Sequence, residues 1–235
     1  MKKSILLFLA VGGLLAVGGS AIGLRWAANQ KPDFYKTALA EAPPRAVRQE
    51  AAREFAEQTA QLVRDLQYSQ TWEQEFTQAQ VNGWLAEELP ERYGDRIPRG
   101  VSDPRVQFVD GLVRIGFQLK SKRFEGIVSL DLRPSVPEPN RLAISVESLY
   151  AGLLPLAPVS FIDDVSKQLD KYEVEHEWQV ADGHHVLLIT VVPNRGDRPI
   201  LEELVVDDET LRIAGHRELP ATITMRSNAD APRRL

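Results

Sequence analysis

The stretch from Val101 to Lys120 reads VSDPRVQFVDGLVRIGFQLK. Apolar and polar residues alternate on both sides of Asp110-Gly111, a dipeptide typical of a two-residue hairpin turn. The register set by this turn gives one face that pairs Phe108 with Val113 and Val106 with Ile115 and continues through Phe117 and Leu119. Because turn chemistry and alternation agree, the stretch predicts a β-hairpin with one apolar face.

Two further alternating runs extend this sheet. The run from Phe124 to Arg133 carries Leu132 on its apolar side, and the run from Leu142 to Tyr150 carries Ile144. The segment between them, Pro134 to Asn140, is rich in proline and predicts a loop. The hairpin and the two runs therefore predict an antiparallel meander with one apolar face.

Helical periodicity precedes the meander. Apolar residues recur at three- and four-residue steps from Arg45 to Ser69, which predicts an amphipathic helix. Thr77-Gln78-Ala79-Gln80 then fits a capping box, in which the Thr77 hydroxyl and the Gln80 side chain each bond to the backbone of the other residue. The apolar face that follows predicts a helix from Gln78 to Leu89, ending at Pro90.

The C-terminal part mixes both periods. We expect a helix from Val159 to Lys171 and a second hairpin around Asp182-Gly183, in which Trp178 faces Leu187. Asn194 to Pro199 predicts a loop, and the last strand pair covers residues 201–206 and 211–214. The predicted fold class is α+β, an antiparallel meander curved around one or two helices.

The N-terminus carries an apolar segment. Ser4 to Leu24 contains 21 residues without a charge, and Lys2 and Lys3 precede it. This length covers about 30 Å as a helix, enough to span a bilayer, although small residues near Ala21 also fit a cleavable signal peptide. The lysines favour a cytoplasmic N-terminus, so residues after the segment are expected on the extracytoplasmic side.

These patterns divide the chain into four parts. Residues 1–26 form the anchor or signal peptide, and residues 27–71 form a juxtamembrane segment with the amphipathic helix. Residues 72–227 form a single α+β domain, and residues 228–235 form a flexible tail. The membrane is thus an expected partner through residues 4–24.

Charge and composition exclude several functions. The chain carries 28 Lys and Arg against 33 Asp and Glu, for a formal net charge of −5, and it contains no Cys. No basic cluster is present for phosphate binding, so nucleic acid is not an expected partner. With no Cys nucleophile, Gly-x-Ser-x-Gly elbow or Gly-rich phosphate loop, the sequence predicts no catalytic residues and no cofactor.

Histidines offer the remaining candidate for a metal centre. His184 and His185 are adjacent, and His176 lies on the other strand of their hairpin. Neighbouring residues on a strand point to opposite faces. His185 and His176 can share a face, but the register separates them by several residue pairs and no third ligand is evident. The sequence therefore predicts no metal site.

The apolar face admits two interpretations. It is either ordinary core or, where a curved sheet leaves a groove, a binding site for an acyl chain or another long apolar ligand. The candidate ligand-binding residues share this face or the helix that follows the capping box: Trp84, Phe108, Ile115, Phe117, Leu132, Ile144, Trp178 and Leu187.

The order of these motifs resembles a known family. The segment WEQEFTQAQVNGWL from Trp72 to Leu85, the segment VSDPRV from Val101 and the turn GLLPL from Gly152 are similar to the YpmS-like family of bacterial membrane-anchored proteins of unknown function. More distantly, the pattern resembles the YceB-like envelope lipoproteins, whose sheet-around-helix fold is similar to one half of the tubular lipid-binding (TULIP) superfamily. This chain has no Cys to carry a lipid, and no catalytic residues come with the resemblance.

The resemblance implies a single-pass protein of the bacterial cytoplasmic membrane whose C-terminal domain faces the extracytoplasmic side. Three functions follow as hypotheses. The first is binding of a lipid on the concave sheet face by a non-enzymatic envelope protein. The second is a scaffold or assembly factor that docks an envelope protein partner through the helix from Arg45 to Ser69. The third is a lipid-modifying hydrolase.

Overall fold

A computed structural model describes residues 31–121, 124–191 and 198–218, and the N-terminal segment 4–24 lies outside these ranges. The fold is α+β with two antiparallel sheets. No helix in the described ranges is both long enough and apolar enough to cross a membrane. The elements, in chain order, are α1 (Asp33–Ala40), α2 (Arg45–Tyr68), β1 (Thr71–Thr77), α3 (Gln78–Tyr93), a 3₁₀ turn (Gly94–Arg96), β2 (Val101–Val109), β3 (Leu112–Lys120), β4 (Glu125–Glu138), β5 (Arg141–Ala151), β6 (Leu154–Pro155), α4 (Val159–Lys171), β7 (His176–Ala181), β8 (His184–Thr190), β9 (Arg198–Asp207) and β10 (Thr210–Glu218).

The larger sheet has the strand order β2-β3-β4-β5-β8-β7, and β6 pairs with the end of β5. Both predicted hairpins are confirmed. Across the first turn Phe108 lies opposite Val113, and across the second turn Trp178 lies opposite Leu187. The first residue of each turn, Asp110 and Asp182, has a positive φ, as a two-residue hairpin turn requires.

Most of the proline-rich segment is a strand, so the predicted loop from Pro134 to Asn140 is wrong as far as Glu138, and only Pro139 and Asn140 form a turn. β4 continues to Glu138, and Pro134 lies opposite Ile144 of β5. β3 pairs with β4 only as far as Leu132, so beyond that residue one edge of β4 has no β3 partner. A proline on such an edge loses no ladder hydrogen bond.

The smaller sheet has the order β1-β10-β9. Its β9–β10 hairpin confirms the last predicted strand pair, but β1 is a strand that the sequence analysis missed. β1 pairs with β10 over its whole length, from Thr71 opposite His216 to Thr77 opposite Thr210. Only tertiary pairing with this distant part of the chain makes the segment extended.

The predicted helices are confirmed, and only the end of α3 differs from its predicted position by more than one residue. The capping box is present, since the Thr77 hydroxyl accepts from the Gln80 amide and the Gln80 side chain accepts from the Thr77 amide. α3 does not end at Pro90, as the sequence predicted, but continues to Tyr93. Pro90 lies in the last turn of the helix, where it removes one intrahelical hydrogen bond and the helix is about to end.

The two long helices join the sheets in one apolar core. α2 contributes Phe55, whose ring centroid lies 5.1 Å from that of Phe76 and 5.8 Å from that of Trp84. Gly83 allows α3 to approach α2 closely, because a Cβ there would lie 2.7 Å from the Arg48 carbonyl oxygen. α2 is therefore part of the folded domain and not only a link to the N-terminal segment.

Candidate functional site

One face of the larger sheet is apolar across six neighbouring strands. In one row of paired residues Leu132 lies beside Val113 on β3 and beside Val146 on β5, and the row then meets His185 on β8. The next row continues from Pro134 on β4 through Ile144, Leu187 and Trp178 to the far edge of the sheet. The alternation read from the sequence thus gives one continuous surface.

The structure brings all eight candidate residues together in one cluster, and most of them are fully covered. The partly buried members, Ile144 and Trp178, lie towards the β7 end of the sheet. The buried members are Trp84, Phe108, Ile115, Phe117, Leu132 and Leu187. In this conformation the face is packed by protein and is not an open groove.

Two helices supply much of this cover. α3 places Trp84, Leu85 and Leu89 in the core, and α4 adds Phe161, Val165 and Leu169. α4 alternates these apolar residues with charged ones, so that its opposite side carries the Asp164–Lys167 pair. It is also joined to the sheet by the Trp178 indole, whose Nε1 donates to Ser166 Oγ at 2.9 Å.

The edge of β2 is closed by amide side chains of α3. Asn82 Nδ2 donates to the Val106 carbonyl at 2.8 Å, and the Val106 amide donates to Asn82 Oδ1 at 2.9 Å. The Phe108 amide donates to Gln78 Oε1 at 2.8 Å. Gln78 and Asn82 are four residues apart on one helix face, and Val106 and Phe108 are two apart on a strand, so the helix takes the place of a neighbouring strand.

A cleft opens where the larger sheet has a gap. β8 pairs with β5 up to Val146, and β6 pairs with β5 from Tyr150, so no strand of the described residues pairs with the β5 edge between them. The cleft has a volume of about 290 Å³. Its walls come from β5, the segment after β6 and the β7–β8 turn, and include Glu147, Ser148, Tyr150, Pro155, Pro158 and His184.

Two polar side chains at this cleft, Glu147 and Ser148, differ in their contacts. Glu147 lies between Arg133 and His184, with carboxylate oxygens 3.4 Å from Arg133 Nε and 3.7 Å from His184 Nε2. Ser148 Oγ is buried and has no hydrogen-bond partner among the described residues. The cleft was not predicted from the sequence. The available signal was the GLLPL turn after β5, which folds β6 back onto the end of β5 so that β8 cannot pair along the whole strand.

The opposite face of the same sheet holds α1. The Tyr35 side chain is 1% exposed, and its hydroxyl donates to the Asp103 carbonyl at 2.8 Å. Gly116 makes room for this contact, since a Cβ there would lie 2.7 Å from Tyr35 Cδ2 and 3.0 Å from Phe34 Cζ. Burial, with a smaller contribution from the Asp103 carboxylate, raises the pKa of Tyr35 to about 12.

An ion-pair cluster joins the two long helices. The Glu87 carboxylate of α3 forms ion pairs with Arg48 Nη2 at 2.7 Å and with Arg45 Nε at 3.2 Å, both from the first turn of α2. Burial acts to raise the pKa of Glu87, but the hydrogen bonds from Arg48 and Arg45 outweigh it and lower the pKa. The cluster is structural, because it fixes the start of α2 against α3.

Histidine and carboxylate side chains do not converge on a metal centre: in the described ranges no three of them are placed to hold an ion. In comparisons with known proteins, no family model matches the chain, and no curated protein or solved structure matches it significantly. The similarity to the YpmS-like family stays a prediction.

Proposed function

We propose that this chain is a membrane-anchored, non-enzymatic protein of the bacterial envelope. In this proposal, residues 4–24 span the cytoplasmic membrane, and the domain on the extracytoplasmic side binds a lipid or another long apolar ligand. The ligand lies on the concave face of the larger sheet, where the sheet curves around α3 and α4. The continuous apolar face across six strands is the observation that carries the proposal.

Because the face is packed in the described conformation, a ligand has to displace part of its cover. α4 is the element to move, since it follows the proline-containing segment Leu154–Pro158 and ends before Glu173, which has a positive φ. Exposing Phe161, Val165 and Leu169 costs about 1.5–3 kcal/mol each, or roughly 5–9 kcal/mol together. An acyl chain gains about 0.8 kcal/mol per buried methylene, so about a dozen methylenes offset this cost.

A matched pair of substitutions on β5 tests the proposal. Ile144 belongs to the apolar cluster, whereas its neighbour Ser145 points to the opposite face of the sheet. Protein comprising residues 27–235, purified without detergent, is analysed by native mass spectrometry and solvent extraction. We expect an added mass that extracts as lipid from the unchanged protein and from Ser145→Asp, and its loss from Ile144→Asp.

Circular dichroism establishes that both variants are folded. Equal lipid content in folded Ile144→Asp and folded Ser145→Asp would contradict a site on the apolar face. Apo protein that takes up no lipid on titration would leave the face as ordinary core.

The packing of the face also favours a second candidate, a scaffold or assembly factor for an envelope protein complex. Here the apolar face only stabilises the fold, and a partner protein binds the outer surface of α2. That surface carries Arg53, which pairs with Glu50 and Glu57 at exposed positions. Capture of one stoichiometric partner by the full-length protein, lost on Arg53→Glu and kept on Ile144→Asp, would support this function over lipid binding.

A further inference from the structure

The cleft beside β5 passes from one face of the larger sheet to the other. Its walls include Val146 and Leu149, which are buried members of the apolar cluster. They also include Ser148, which lies opposite Asp131 on the side of the sheet that carries polar residues. Because neighbouring residues on a strand point to opposite faces, the cleft connects the polar face of the sheet with the apolar face.

A β-bulge interrupts this part of β5. Val146 and Ser148 lie opposite consecutive residues of β4, so Glu147 between them is an extra residue that bends the strand. Beyond it, the Leu149 carbonyl accepts from the Leu156 amide at 2.8 Å, which closes the edge again. The edge that the described residues leave open therefore runs from Val146 to Leu149, roughly 10 Å along the strand. After the atoms at both ends are allowed for, this leaves the width of one acyl chain.

The cleft meets α4 at the end of the helix that is held less firmly. Pro158 lines the cleft and precedes α4, and the start of this helix has no side-chain cap hydrogen bond. The amides of an uncapped first turn lack partners within the helix, so this turn opens more easily than the rest. Further along the helix, Ser166 accepts from the Trp178 indole and joins α4 to the sheet. The first turn contains Phe161, so opening it uncovers one of the three core residues of α4 and leaves the others packed.

We infer that the cleft is the entrance to the apolar face and that it admits a single-chain amphiphile, such as a fatty acid or a lysophospholipid. The inference rests on the ligand site proposed above. The acyl chain passes between Val146 and Leu149 and lies beneath α4, while the head group stays on the polar face near Glu147 and His184. The cleft volume of about 290 Å³ lies at the lower end of the range for ligand sites, about 300–1,000 Å³, so it suits one chain rather than two.

A photoreactive lipid tests where the acyl chain goes. Full-length protein is reconstituted in phosphatidylcholine nanodiscs that contain palmitoyl lysophosphatidylcholine with a diazirine at the end of its chain. After illumination, peptide mass mapping locates the adducts. We expect adducts on the apolar side of β5 and β8, at residues such as Ile144 and Leu187, in addition to adducts on residues 4–24 in the bilayer. The same diazirine chain on a diacyl phosphatidylcholine should label β5 and β8 several-fold less.

A reversible plug tests whether the cleft is the entrance. Because the chain contains no Cys, His184→Cys introduces a single thiol at the wall of the cleft. Gln179→Cys, at an exposed position of the same hairpin outside the cleft wall, is the matched control. Both variants are treated with benzyl methanethiosulfonate, which attaches a bulky group through a disulfide that reduction removes. The treatment should abolish the β5 and β8 adducts in His184→Cys and leave them in Gln179→Cys, and reduction should restore them.

The outcomes separate this inference from the proposed function. Adducts on β5 and β8 that persist in treated His184→Cys would overturn the cleft as the entrance and leave the proposed ligand site standing. Equal labelling by the diacyl lipid would overturn the assignment to a single-chain amphiphile. No adducts on β5 and β8 of the unchanged protein would contradict both the entrance and the ligand site, whether or not residues 4–24 are labelled.

Discussion

Removing the Asn82 side chain tests the idea that α3 closes the edge of the larger sheet. In Asn82→Ala, the Val106 amide and carbonyl both lose their partner on the helix. Each lost hydrogen bond costs about 1 kcal/mol, and a buried group left without a partner costs about 1–3 kcal/mol. Because the site is only partly buried, we expect the lower end of this range for each of the two groups, which gives a loss of about 2 kcal/mol in the free energy of unfolding.

The measurement is equilibrium unfolding in urea of the full-length protein in mild detergent, followed by tryptophan fluorescence, since Trp72 and Trp84 are buried. Gln78→Ala removes the single hydrogen bond to the Phe108 amide, so it should cost about half as much as Asn82→Ala. Glu91→Ala, at an exposed position of the same helix, is the control.

A loss below about 0.5 kcal/mol for Asn82→Ala, the range of ordinary surface substitutions, would refute this reasoning. It would mean that water satisfies the edge of β2 as well as the helix does. A changed urea dependence in the variant would instead indicate an altered unfolded or native state, so the comparison requires equal slopes.

Three further predictions concern the surroundings of the core. The raised pKa of Tyr35 means that the folded state holds the phenol proton more tightly than the unfolded state, so the free energy of unfolding should fall as pH rises from about 10 to about 12. Tyr35→Phe should remove this fall in alkaline unfolding curves, and an unchanged curve would contradict the prediction. Gly116→Val places side-chain atoms against Tyr35, so it should lower the free energy of unfolding by about 1–3 kcal/mol and make α1 accessible to protease. Protection from protease equal to that of the unchanged protein would show that α1 packs elsewhere. The lowered pKa of Glu87 means that its contribution to the free energy of unfolding is present above pH 4.5 and is lost as pH falls below that value. Glu87→Gln should therefore make stability fall less steeply with decreasing pH. An equally steep fall would argue against the helix–helix ion pairs.

These predictions matter for function because the elements that they perturb position the proposed sites. Asn82 and Gln78 hold α3, which carries Trp84, against the apolar face. Tyr35 and Gly116 hold α1 on the opposite face, where the chain arrives from the N-terminal segment. Weakening the first contact should reduce the proposed ligand binding, whereas weakening the second should leave it unchanged.

Local signals in the sequence determined most of the secondary structure. The dipeptides Asp110-Gly111 and Asp182-Gly183 set both hairpin registers, because a two-residue turn leaves one pairing that keeps apolar side chains on one face. Thr77 and Gln80 fixed the start of α3 through hydrogen bonds within a single turn of chain. These interactions lie between residues that are close in sequence, so their geometry can be read without the rest of the fold.

Tertiary structure decided the features that depend on distant partners. β1 is a strand because β10, more than a hundred residues later, offers its edge, and Pro134 is tolerated in β4 because β3 no longer pairs there. The roles of Gln78 and Asn82 as partners for β2 required the position of the helix beside the sheet.

The same division applies to the candidate site. Alternation in the sequence determined that Phe117, Leu132 and Leu187 share one face, because side chains on a strand alternate with a period of two. It did not determine whether that face is open, since this depends on how α3 and α4 fold back over the sheet. The tertiary structure covers the face and opens a cleft beside β5, because strand pairing along this one edge of β5 stops at Val146 and resumes at Tyr150.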